Sequence, residues 1–325
     1  KQSTLEKCMN NFETLYGQKP EFLARAPGRV NIIGEHIDYN GYGVLPFALH
    51  KEIWFLFKRN DDKIVRMANS NAKRFPKKEY SVDTKDWETI PGEWTSYIIW
   101  GFRSVLFSLS PESENKTEPK NSVLPGFDLF VFSDLPIACG VSSSSALSVG
   151  SGLVISKILG VDSTLDKTGF VSNIIKFERH NGLLGGGMDQ TISVFGQTGH
   201  CLAIEFKPKL SSVQVPMKGL GMVLCNSLTE SPKVETGFKR YNKRVFECTM
   251  GLLALIRKSL GEGASVKELP TLWDLQKRLG KDLKQKDSLD RKRREILLNE
   301  QQMPAALKTI AWNVLFLFIL ISIPL

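Results

Sequence analysis

The chain has 325 residues, 42% of them apolar, enough to bury a sizeable core and most simply arranged as two domains. Its five cysteines (Cys8, Cys139, Cys201, Cys225, Cys248) are widely spaced, with no Cys-x-x-Cys pair, which argues against a disulfide framework or zinc site and for a reducing cytoplasm. The net charge of +9 is concentrated: residues 277–294 hold nine Lys/Arg against three Asp and no interleaved aromatics, so a solvated helix face is expected rather than a nucleic-acid surface.

In chain order, residues 5–16 carry amphipathic spacing and predict a helix that Gly17 and Pro20 end. Residues 22–26 and 53–57 are short β-leaning runs bounded by turn residues. Helical apolar spacing returns over 94–107, followed by a polar, Pro-containing loop over 108–122 and a strand over 127–132. Small and apolar residues predict a helix over 143–159, another follows over 171–180, and Gly182 to Gly187 reads as a flexible bend. Strands are expected over 199–206 and 221–226, then a long helix over 237–260. Strands and helices mixed without a regular βαβ repeat predict an α+β architecture.

One segment concentrates chemistry: Arg29-Val30-Asn31-Ile32-Ile33-Gly34-Glu35-His36-Ile37-Asp38-Tyr39-Asn40. Two carboxylates, an imidazole and a guanidinium between glycines suit hydrogen bonding to the hydroxyls of a small polar ligand such as a sugar; the competing reading is an exposed polar turn. These words resemble the sugar-binding signature of galactokinases, members of the GHMP small-molecule kinases. Two further motifs extend the resemblance. Pro136-Ile137-Ala138-Cys139-Gly140-Val141-Ser142-Ser143-Ser144-Ser145-Ala146-Leu147 is similar to the family's nucleotide phosphate loop, and Gly185-Gly186-Gly187-Met188-Asp189-Gln190 to the segment carrying its catalytic aspartate. The three glycines, with Asn226-Ser227 and Tyr241-Asn242-Lys243-Arg244 after them, most resemble the N-acetylgalactosamine kinase and fungal galactokinase branch. The likeness runs from about Phe12 to about Leu255.

The resemblance implies a GHMP kinase two-domain fold: a ribosomal-protein-S5-domain-2-like unit over 1–215, a partial ferredoxin-like domain over 216–300, and a cleft between them. It implies ATP- and Mg²⁺-dependent phosphorylation of the anomeric hydroxyl of galactose or N-acetylgalactosamine by a cytoplasmic monomer with no nucleic-acid partner. Asp189 and Arg29 would be catalytic, and Glu35, His36, Asp38, Gly186, Asn226 and Tyr241 would meet the sugar, although Tyr241 also reads as a buried helix tyrosine. Gly140, Ser142, Ser143, Ser144, Ser145 and Ala146 would hold the nucleotide phosphates, and Ser144 and Glu178 the Mg²⁺. The physics agrees. Backbone N–H groups at a strand-to-helix junction of small residues point outward unpaired and favour an anion; there is no Gly-x-x-x-x-Gly-Lys, so this is not a P-loop. A carboxylate such as Glu178 is a hard ligand fit for Mg²⁺. Asp189 acts either as general base or by orienting the hydroxyl while Arg29 stabilises charge in a loose phosphoryl transfer. A nearby Arg would keep that Asp ionised and weaken it as a base.

A rival of another class is a galactokinase-like regulator that binds sugar and ATP without useful catalysis; such proteins lack the Ser-Ala step that Ser145-Ala146 supplies here. The family's last Gly-rich motif is missing after residue 260, and residues 310–325 form an apolar run that Lys308 keeps shorter than the roughly 20 residues of a spanning helix. With Lys1 in place of an initial Met and no secretory signal visible, a fragment is expected, its 301–325 tail either foreign to the enzyme or a weak membrane contact.

Overall fold

The computed structural model describes residues 2–109, 123–137, 139–218, 222–225, 233–261 and 267–279, with backbone alone over 233–239. Its centre is a five-stranded sheet in the order β1-β2-β5-β3-β4 (β1, Phe22–Asn31; β2, Pro46–Arg59; β3, Ile64–Asn69; β4, Lys78–Ser81; β5, Phe127–Ser133). Neighbours are antiparallel except β3 and β5, which run parallel with Val65 opposite Phe127. The mixture of parallel and antiparallel strands confirms α+β.

Both faces of this sheet are covered, which explains the uninterrupted apolar runs in β2 and β5. On one face Ile53, Phe55 and Phe57 of β2 and Phe127, Leu129 and Val131 of β5 join the main core. The helices α2 (Trp94–Leu109), α3 (Ser143–Leu159) and α4 (Lys167–Glu178) contribute Ile98, Phe102, Val149, Ile155, Phe170 and Ile174 to it. On the other face Trp54, Leu56 and Phe130 pack with Cys8 and Phe12 of α1 (Gln2–Tyr16). The odd residue out is Asp128, 1% exposed, whose charge is met by Arg66 at 2.9 Å, Asn60 at 2.9 Å and Gln18 at 3.2 Å.

α3 runs through the middle of this core, and its small residues let it sit close. A Cβ added to Gly150 would lie 2.0 Å from the Phe55 ring. Gly150→Ala therefore overpacks a filled site and is expected to lower stability by about 1–3 kcal/mol, read as a shift in the chemical-denaturation midpoint.

Beyond the sheet, α5 (Met188–Phe195) leads into a hairpin of β6 (His200–Glu205) and β7 (Ser211–Pro216), which a bridge from Val44 to Ile204 ties to the connection between β1 and β2. The long α6 (Lys233–Leu260) packs on α7 (Leu272–Arg278) through Leu252, Ile256 and Leu275, and Tyr42 reaches α7 by donating its hydroxyl to Gln276 at 2.8 Å.

The helices expected from spacing are present. β1 is longer than expected: it runs on through Pro27 to Asn31, with a register shift between Pro27 and Arg29 that absorbs the missing N–H. The strand expected over 221–226 does not form in its described part, because Met222–Cys225 is exposed, Val223 at 90%, and has no strand partner among the described residues. The basic run after residue 279 and the apolar tail lie outside the described residues. Among the described residues no helix is long and apolar enough to cross a membrane.

Candidate active site

Four chain segments converge on one cleft. β1 delivers Arg29 at its register shift, where the Arg29 N–H turns from β2 and donates to Val141 O at 3.2 Å. The signature then leaves the strand and closes in a 3-10 turn over Asp38–Asn40, ended by Gly41 with φ of 85°. α3 starts opposite. The third and fourth segments are the end of α4 with the following 3-10 turn Arg179–Asn181, and the glycine run that opens α5. Together with Tyr241 of α6 they line a cleft that is partly open to solvent.

At its base Arg29 Nε donates to Asp189 Oδ1 at 2.6 Å, and Arg29 Nη1 donates to Gly140 O at 2.9 Å. One guanidinium thus links the end of β1, the loop before α3 and the start of α5. Asp189 stands in the first turn of α5, where the exposed amides favour a negative charge. Burial works against the Arg29 charge, but Asp189, Glu35 and Asp38 around it outweigh that and raise its pKa, so it is a permanent cation.

Asp38 is the buried acid of the site. It is 9% exposed; burial and then the Asp189 charge push its pKa up to about 6, against backbone N–H groups of Tyr39 and Met188 that pull it down. The Gly186 backbone lies against it: a Cβ there would stand 2.3 Å from Asp38 Cγ and 2.4 Å from Tyr39 N. Next to it Gly187, at φ of 117°, admits the chain to α5 in a conformation that L-residues resist. His36 Nδ1 lies 2.9 Å from Tyr39 Oη, and its ring centroid is 5.1 Å from that of Tyr241 on α6. Burial, partly opposed by Glu35, lowers the His36 pKa, so the ring is neutral at pH 7. Tyr241 is held as a neutral phenol by burial and by Asp38 and Asp189.

At the other end Glu178 accepts from Ser145 Oγ at 2.8 Å through Oε1 and from Gln190 Nε2 at 2.7 Å through Oε2. Among the described residues three other than glycine have φ between 54° and 60°: His36, Lys63 and Ser142. Two of them flank this cleft, and such backbone strain is concentrated at functional sites.

With this geometry in view, two family models match: the galactokinase galactose-binding signature over residues 10–59 and the GHMP kinases N-terminal domain over residues 109–197. The chain belongs to the GHMP kinase family, in its galactokinase branch. Among curated relatives, the galactokinase of Dictyostelium discoideum is 37% identical over 290 residues, covering 86% of this chain and 54% of its own length. The galactokinase of Saccharomyces cerevisiae is 33% identical over 261 residues, covering 75% and 48%. The chain thus spans about half the length of the curated relatives it matches. Lactococcus lactis galactokinase, solved in complex with galactose, shares the GHMP kinase fold at a TM-score of 0.61 and 24% identity, over 79% of this chain and 62% of that one.

Most of the residues that the motifs single out in this GHMP kinase face one another. Arg29, Glu35, His36, Asp38, Ser144, Ser145, Glu178, Gly186, Asp189 and Tyr241 all line the cleft. Ala146 does not: it is 1% exposed, packs in the main core, and its N–H donates to Ser142 O at 3.0 Å inside the helix. Gly140 contributes its carbonyl to Arg29, Ser142 is buried, and Ser143 opens α3 away from the lining; Asn226 lies outside the described residues. Motif reading missed Arg179, which donates twice to Gly185 O at 2.8 and 3.0 Å, and Gln190, whose Nε2 holds Glu178. Both stand directly beside motif residues, which was the only signal available.

Proposed function

We propose that this protein phosphorylates the C1 hydroxyl of galactose at the expense of ATP and Mg²⁺. The observation that carries the reading is the Arg29–Asp189 pair at 2.6 Å, set between a hydroxyl-binding wall (Glu35, His36, Asp38) and an anion-binding helix start. Names of relatives that cover half their length in this chain, together with the signature match, support galactose as the substrate.

The residues fit a nucleotide phosphate. No side chain caps α3, and the Ser142 Oγ is buried without a partner among the described residues, so the helix start has donors to give to an anion. Ser144 and Glu178 on the same side offer hard oxygens suited to Mg²⁺. ATP would supply the phosphoryl group, with Mg²⁺ balancing its charge. The chain's own part is positioning: Asp38 and Glu35 accept from sugar hydroxyls, and Asp189 holds the C1 hydroxyl in line. Arg29 occupies one Asp189 oxygen, which weakens the carboxylate as a base. We therefore read Asp189 as orienting the hydroxyl and taking its proton late, while Arg29 meets the charge that develops in a loose transition state.

A second substrate has one specific observation behind it. A Cβ built on Gly185, which lines the cleft, would meet nothing within 4 Å, so there is open space beside the sugar wall for an acetamido group. A coupled ADP-release assay on the full-length gene product, run with galactose and with N-acetylgalactosamine, separates the two. Turnover on at least one sugar is expected; a folded sample that turns over neither, yet binds galactose by calorimetry, reverts to a binding regulator.

Gly186→Ala offers a test of the wall itself. The added methyl must displace Asp38 or Tyr39, and at about 1–3 kcal/mol of overpacking the galactose dissociation constant is expected to rise about tenfold or more. Unchanged binding in a calorimetric titration would mean that Asp38 is not placed by this glycine.

A further inference from the structure

α6 lines the cleft through Tyr241, and the residue after it meets the backbone that borders the cleft. That residue is Asn242. Its Nδ2 donates to Gly182 O at 2.6 Å and its Oδ1 accepts from Leu184 N–H at 3.1 Å. We propose that Asn242 is a positioning residue for the sugar subsite, bracing the 182–187 segment so that Gly186 holds Asp38 and Gly187 launches α5 with Asp189. The proposal rests on the sugar-kinase reading of the cleft.

The backbone explains why a brace is needed. Between the Arg179–Asn181 turn and α5 the segment forms neither helix nor strand, so its N–H and C=O groups must be met one at a time. Asn242 meets two of them with a complementary donor and acceptor, and Arg179 clamps a third, Gly185 O. The glycines that follow have no side chains to lock them, and their position is what sets the contact with Asp38. Asn is a poor choice for a helix interior and Ala a better one, so its use here answers a need outside the helix. Its carboxamide carries a donor and an acceptor side by side on a short side chain, and Gln sets the same pair one methylene farther out.

The test uses the full-length protein and two variants. Asn242→Ala leaves α6 a better helix former but removes both bonds. Hydrogen exchange in a peptide covering residues 182–187 is expected to accelerate about tenfold or more, as for a segment that loses its local protection. The galactose dissociation constant is expected to rise roughly tenfold, as for one or two lost hydrogen bonds, while ATP affinity stays within about twofold. Asn242→Asp keeps the acceptor for Leu184 but sets a carboxylate against Gly182 O; its galactose affinity relative to wild type should improve as the pH is lowered and the carboxyl regains a proton to donate. Faster exchange with wild-type galactose affinity would make Asn242 structural only and overturn the proposal, as would wild-type exchange in Asn242→Ala. A wild-type protein that binds no galactose fails the sugar reading itself, an outcome distinct from a wild type that binds and a variant that binds equally well.

Discussion

Asp189→Asn is expected to leave galactose affinity within a few-fold while cutting kcat by about 10² or more, the usual worth of a positioned acid–base group. The substitution keeps the shape of the side chain and one acceptor for Arg29 Nε, whose bond to Asp189 is 2.6 Å. It removes the charge that pairs with Arg29 and, on the proposed reading, the capacity to take the C1 proton. Both losses are felt in the transition state rather than in the bound sugar, so kcat and kcat/KM should fall together. Arg29→Lys should be comparably damaging despite the retained charge. An ammonium cannot reproduce the fork that reaches both Asp189 Oδ1 and Gly140 O. Steady-state kinetics beside calorimetric galactose titration checks this; an Asp189→Asn enzyme with normal kcat ends the assignment.

The site was more legible in the sequence than the sheet that holds it. Arg29, Glu35, His36, Asp38 and Asp189 fall in two short motifs whose residue types announce their chemistry, and all five line one cleft. The 160-residue separation of Arg29 and Asp189, by contrast, is closed by topology that no local pattern encodes. β3 shows the same limit. Its six residues include Arg66 and Asn69, which blur any alternation, and its pairing with β5 in parallel spans the whole of α2. Arg66 makes sense only once the buried Asp128 on the neighbouring strand is known. α5 was hidden for another reason: eight residues after three glycines give too little periodicity to separate a helix from the bend before it.

Where the motif members and the cleft lining differ, the cause is the difference between a residue's neighbours in sequence and its direction in space. Ser144, Ser145 and Ala146 are consecutive on α3, yet the serines reach the cleft and the alanine faces the core. A helix turns about 100° per residue, so a contiguous motif at a helix start cannot present every member to one ligand. The same rotation puts Tyr241 beside His36 and Asn242 against the 182–184 backbone.

Asp38→Asn should move binding and stability in opposite directions. In the folded protein the Asp38 pKa is about 6, above the ordinary 3.8, chiefly because burial disfavours its charge. A carboxyl whose folded pKa is raised binds its proton more tightly in the native state. Native stability therefore falls as pH rises from about 4 through 6, and at pH 7 the ionised group costs roughly 2–3 kcal/mol. Asn cannot ionise, yet its carbonyl still accepts from the Met188 and Tyr39 N–H groups that face this position. The variant is therefore expected to be more stable than wild type by about 2 kcal/mol at pH 7.5 and no more stable at pH 4, where both forms of the site are neutral. Sugar binding goes the other way. Loss of a charged acceptor is worth about 1.5–3 kcal/mol, so the galactose dissociation constant should rise by about tenfold or more at pH 7.5. The gap to wild type should narrow below pH 6, as the wild-type carboxyl itself takes up a proton. Denaturation midpoints and calorimetric titrations at the two pH values decide the matter. A variant less stable than wild type at pH 7.5 would show that the buried charge is fully compensated in the folded chain.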